Sequence, residues 1–252
     1  MSNICCIKPK NLKQPLFGNV KIPPSGGGKE LMLKVVVFDS GYGGELFADY
    51  LQENLPVIQI IRVIDWRNSK KINTKYREAR KITEIAIKPY IGRVDLIIFA
   101  NHLLTITSLK YFKRKYQTQK FLGLDFEQPN YCNERDTIVL TTKAVARTIN
   151  YHNYLFRLKC KTKTLVLDNW PAKIDSGELA ASEIINTLQT FSNREQLYPK
   201  NVILACSHFN DLKPELRICF GGNLKIYDGF ENTFRKICKA LELRGGTGKK
   251  KS

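Results

Sequence analysis

From about residue 31 onward, short apolar runs rich in β-branched residues alternate with longer amphipathic stretches. The run at 35–38 precedes a helical pattern over 45–54, the run at 58–64 one over 74–90, and the run at 96–100 one over 104–116. Strands this apolar are buried on both faces, and the 3.6-residue periodicity between them predicts crossover helices joining parallel neighbours. The pattern then restarts. Strands are predicted over 120–124 and 137–140, a helix over 143–156, a strand over 164–167, a helix over 178–191, strands over 201–205 and 225–227, and a terminal helix over 231–243. The expected fold class is α/β: two similar lobes with mostly parallel sheets and an active-site cleft between them. Residues 31–128 together with 214–243 are expected to build the first lobe, and 129–213 the second.

Composition refines this picture at the ends. Residues 1–30 carry Pro9, Pro15, Pro23 and Pro24 and the Ser25-Gly26-Gly27-Gly28 run, which reads as a flexible extension. Residues 244–252, with Lys249-Lys250-Lys251, read as a basic tail. A chain of 252 residues that is 43% hydrophobic can bury one large core or two modest ones. No stretch approaches the roughly 18 apolar residues of a membrane span. The N-terminus, with Cys5, Cys6, Lys8 and Lys10, lacks the apolar region of a signal peptide. A cytoplasmic protein with no membrane partner is expected. The 7 cysteines are scattered without paired C-x-x-C spacing, so reduced thiols and no metal site are expected. A net charge of +18 raises nucleic acid as a partner. Its best local candidate, the alternation of cations and aromatics over 110–116, reads first as the solvated face of an amphipathic helix. A homodimer stays open.

Candidate chemistry collects where three predicted strands end. The run at 201–205 is followed by Cys206-Ser207-His208, the run at 33–38 by Asp39-Ser40-Gly41-Tyr42-Gly43-Gly44, and the run at 94–100 by Asn101-His102. In open α/β sheets, ligands bind beyond the carboxyl ends of the strands. The glycines lack the following Lys-Ser/Thr pair of a nucleotide loop and give weak support for a phosphate site.

These residues resemble the aspartate/glutamate racemase superfamily, and specifically glutamate racemase. The stretch Val37-Phe38-Asp39-Ser40-Gly41-Tyr42-Gly43-Gly44 is similar to that family's opening strand and loop. Cys206-Ser207-His208 looks like its second-half Cys-Thr-His motif, and Thr142-Lys143-Ala144, followed by Thr148 and Tyr151, resembles a Thr-Arg-Ala stretch. The resemblance covers roughly residues 33 to 240. It implies a cofactor-independent amino-acid racemase, with a small acidic amino acid between the lobes and one thiol on each face of its α-carbon. Cys206 would be the second-lobe acid/base and His208 its neighbour, with Asp39 on the first-lobe side. Ser40, Asn73, Asn101, Thr142 and Ser207 would line the substrate. Asn101 stands where the family has its first cysteine, and an amide exchanges no proton at neutral pH. His102, one position on and ordinarily titrating near pH 6.5, is a candidate replacement base. Asp168 is the acid nearest to a family glutamate, and Arg67 or Lys71 could hold a substrate carboxylate.

Three functions follow. One is interconversion of L- and D-glutamate or aspartate, supplying D-glutamate for peptidoglycan. The second is a one-cysteine decarboxylase, whose carbanion needs a single protonation. The third is a non-catalytic binding or regulatory homologue with a basic surface.

Overall fold

The computed structural model describes residues 32–124, 126, 136–158 and 161–243; the expected N-terminal extension and basic tail lie outside the described residues. The first half runs β1 (Leu33–Asp39), α1 (Tyr42–Asn54), β2 (Ile58–Ile64), α2 (Ser69–Ile72), α3 (Tyr76–Ile87), β3 (Leu96–Phe99), α4 (His102–Lys115) and β4 (Phe121–Gly123). The second runs β5 (Thr137–Thr141), α5 (Lys143–Ala146), α6 (Ile149–Arg157), β6 (Thr162–Val166), α7 (Trp170–Ser176), α8 (Ala181–Glu195), β7 (Asn201–Leu204), α9 (Lys213–Phe220) and β8 (Lys225–Tyr227), before α10 (Phe230–Ala240).

Two parallel four-stranded sheets result, ordered β2-β1-β3-β4 and β6-β5-β7-β8. The same permutation thus occurs twice, which makes the lobes similar despite the absence of a sequence repeat. Each sheet is packed on both faces, and successive strand residues serve opposite sides. Val35 and Val37 of β1 and Leu96 and Ile98 of β3 enter one core; Val36, Phe38, Ile97 and Phe99 enter the other. The second sheet divides alike, with Ile138, Leu140, Val202 and Leu204 on one side and Val139 and Ile203 on the other. Unbroken apolar runs in the sequence are therefore central strands with no solvent face.

Three features differ from the sequence reading. The helix expected over 143–156 is divided, because the Thr148 side chain accepts from the Tyr151 N–H and caps a new helix, α6. The stretch after Leu167, for which the sequence predicts no element, holds α7: Pro171 sits in its first turn and Gly177, at φ 72°, ends it in the left-handed region. The return to the first lobe, expected at 214, comes later. Leu216 of α9 and Leu224 pack under the second sheet and β8 pairs with β7, whereas α10 inserts Phe230, Phe234 and Ile237 into the core that holds Val35 and Phe47. The 110–116 stretch forms the last turns of α4, with Phe112 fully buried and Lys115 paired with Glu84. Among the described residues, no helix is long and apolar enough to cross a membrane.

Candidate active site

In each sheet the strand order reverses direction between two neighbours, β1 and β3 in the first and β5 and β7 in the second. Crossovers leave such a pair to opposite faces, which opens a crevice at the carboxyl ends. Those four ends carry Asp39-Ser40, Asn101-His102, Thr142 and Cys206-Ser207-His208. They line or back a single cleft of about 860 Å³ that takes walls from both lobes.

On the second-lobe wall, Cys206 is partly exposed and its Sγ lies 3.6 Å from His208 Nδ1. The opposite ring nitrogen, Nε2, lies 3.1 Å from Asp175 Oδ1. Asp175, delivered by α7, also accepts the backbone N–H of Tyr42 at 3.3 Å, so a carboxylate fixed from both lobes orients the imidazole. Burial opposes a charge on His208, but the Cys206 sulfur, the Asp175 hydrogen bond and Asp39 outweigh it and lift its pKa to about 11. A protonated imidazole therefore faces the sulfur at neutral pH and stabilises negative charge there. Sequence reasoning missed Asp175; the proline and glycine bounding α7 were the signal for the helix that presents it.

The first-lobe wall is built differently. Asn101 caps α4 by accepting the Leu104 N–H at 3.0 Å, while its Nδ2 donates to Asp39 Oδ1 at 2.9 Å and to Asn73 Oδ1 at 3.1 Å. Asn73 in turn donates to Ser40 Oγ at 3.0 Å. Asp39 is fully buried; its other oxygen accepts from Ser207 Oγ at 3.3 Å, tying the two lobes together. Burial raises its carboxyl to about 6, against the opposing pull of His208 and of the bonds from Asn101, Ser40 and Ser207. Asp39 and Ser40 do not line the cleft but stand behind it, whereas Asn73, Asn101, His102, Thr142, Cys206, Ser207 and His208 face it.

His102 departs from its expected titration near neutrality. Burial of the ring, then the charge on His208, lowers its pKa to about 3, so it is neutral. Both ring nitrogens are buried with no hydrogen-bond partner among the described residues, and the ring packs 5.2 Å from that of Phe126. Arg67 and Lys70 line the cleft, whereas Lys71 is not among its lining residues. Asp168 accepts the Lys143 N–H at 3.0 Å at the start of α5. Among the described residues, no group of three or more His, Cys, Asp or Glu side chains is gathered to hold a metal.

The glycines owe their place to close approach. A Cβ on Gly43 would sit 2.0 Å from Ser207 Oγ, and one on Gly44 2.3 Å from Asp39 Cβ. The lobes meet here backbone to side chain. Gly43→Ala is expected to part Ser207 from Asp39 and cost about 1–3 kcal/mol, as overpacking does. Denaturant unfolding checks this; an unchanged midpoint would contradict the contact.

No protein-family model matches the chain. It is 22% identical to a glutamate racemase of Campylobacter curvus over 222 residues, 83% of each chain. Its fold is similar to that of Escherichia coli glutamate racemase in complex with L-glutamate and the activator UDP-MurNAc-ala, with a TM-score of 0.65 at 19% identity over 86% of this chain and 85% of that one. Picrophilus torridus aspartate racemase aligns with a TM-score of 0.59 at 14% identity, over 85% and 95%. The chain is thus similar in sequence to glutamate racemases, and its fold is similar to those of glutamate and aspartate racemases.

Proposed function

We infer that this is a cytoplasmic glutamate-racemase-like protein that binds a small acidic amino acid between its lobes and moves the α-proton on one face only. The observation that carries the reading is the asymmetry of the walls. Cys206, backed by His208 and Asp175, is a complete proton-transfer group. Opposite it, Asn101 is held in hydrogen bonds to Asp39, Asn73 and Leu104 and exchanges no proton. By the family resemblance it occupies the place of the first cysteine. In this reading His102 does not replace it, since its nitrogens are buried and a pKa lowered to about 3 by that burial leaves the ring too weak a base to take an α-proton.

Support for the substrate class comes from the cleft and from the relatives. Arg67 and Lys70 at the mouth place positive charge where a dicarboxylate enters, and Asn73, Thr142 and Ser207 line the interior with hydrogen-bonding groups. The Escherichia coli relative was solved with L-glutamate. An amino-acid α-proton is far less acidic than a thiol, so donors to the substrate carboxylate must stabilise the developing carbanion, and such groups are worth about 3–4 kcal/mol each. Without a second thiol, the proton returns from the side it left.

The test is exchange in heavy water. L-glutamate and L-aspartate should incorporate deuterium at Cα with configuration retained, read by NMR and chiral chromatography. Accumulation of the D-isomer would overturn the one-face reading, and saturable binding without exchange would make the protein a binding homologue instead.

A further inference from the structure

Beside the cleft lies a second, open chamber of about 630 Å³, bounded by the start of α3 on one lobe and by α5 and α6 on the other. It shares Asn73, Thr74, Leu103 and Asp168 with the cleft, so the two spaces adjoin along a common wall. The cleft alone falls near the upper end of the roughly 300–1,000 Å³ that holds drug-sized ligands, far more than a single small amino acid occupies.

The chemistry of the chamber is cationic. Lys143 and Arg147, four residues apart across the end of α5, both line it and are exposed, and neither forms an ion pair with any described residue. The acid on its wall, Asp168, directs Oδ1 to the Lys143 backbone N–H. Tyr76, half exposed at 49%, supplies an aromatic face at the rim. Asn150 donates to the Ile106 carbonyl and locks α6 against α4, which fixes the chamber wall. A guanidinium and an ammonium on one wall, neither in an ion pair among the described residues, can seat a carboxylate.

We propose that the ligand is an acidic amino acid extended through its side-chain carboxyl and ending in a second carboxylate, which Lys143 and Arg147 hold in this chamber. Extension through the side chain leaves the α-amino group, α-carboxylate and α-proton free to face Cys206. The proposal rests on the one-face reading for the position of the amino-acid end, and adds the chamber.

Isothermal titration of the full chain with L-glutamate, γ-glutamyl-glycine and γ-glutamyl-glycinamide tests it. The acid should bind about tenfold more tightly than the amide, the contribution of one charge-assisted hydrogen bond. In a Lys143→Ala/Arg147→Ala variant that preference should vanish while L-glutamate affinity stays unchanged. Equal binding of acid and amide to the unaltered protein, or a preference that survives in the variant, would overturn the chamber assignment and leave the one-face reading intact. L-glutamate binding without either extended ligand would do the same. Failure of all three ligands to bind would overturn both.

Discussion

Replacement of Cys206 by alanine is expected to lower α-proton exchange by about 10²–10⁴-fold, the contribution typical of a positioned acid/base group. The expectation follows from geometry. His208 Nδ1 faces the sulfur at 3.6 Å, Asp175 fixes the ring from behind, and no other described side chain lining the cleft pairs a thiol with such support. Binding should survive, because Cys206 is partly exposed and its removal leaves the carboxylate donors in place. Deuterium uptake at saturating glutamate, measured beside calorimetric affinity, separates the two. Unaltered exchange would remove Cys206 from the reaction. An Asp175→Asn companion should show a smaller loss together with an altered pH profile, since the amide keeps the shape but weakens the hold on the imidazolium.

The second large effect is a gain. Asn101→Cys should convert exchange with retention into inversion, raising production of the D-isomer over the unaltered protein by about the same 10²–10⁴ range. Residue 101 leads into α4 from β3, with Asp39 within hydrogen-bond distance of its side chain. Burial lifts the Asp39 carboxyl to about 6 with Asn101 donating to it, and loss of that donor raises it further; once ionised, Asp39 can take a proton from a thiol placed there. The substitution also removes the cap on Leu104 and a donor to Asp39, at a cost of about 1–3 kcal/mol. Asn101→Ser, which carries a similar cost without a thiol, is the control. Chiral chromatography after incubation with L-glutamate reads the outcome, and inversion at equal rates in the Cys and Ser variants would refute the argument.

Much of this site was legible in the sequence because its residues sit at the ends of strands with no polar interruption. The runs before Asp39, Asn101 and Cys206 are buried on both faces, and only central parallel strands read that way. What was not legible depended on neighbours distant in the chain. His102 looks like a neutral-pH base in one dimension; it is neutral because the fold removes its ring from water against Phe126. Asp39 looked like a wall of the cleft and instead supports the wall, since Asn101 and Ser207 cover it. Asp175 lay in a seven-residue helix too short for periodicity to reveal. The place where the chain returns to the first lobe was misread because β8 has three residues and carries no pattern that assigns it to one sheet over the other.

The closing helix has one more consequence. Phe230, Phe234 and Ile237 complete the core around Val35 and Phe47, which emerge from the ribosome nearly two hundred residues earlier. The N-terminal layers are thus left with an open apolar flank throughout most of synthesis, and the order in which the halves mature is inverted relative to the order in which they are made.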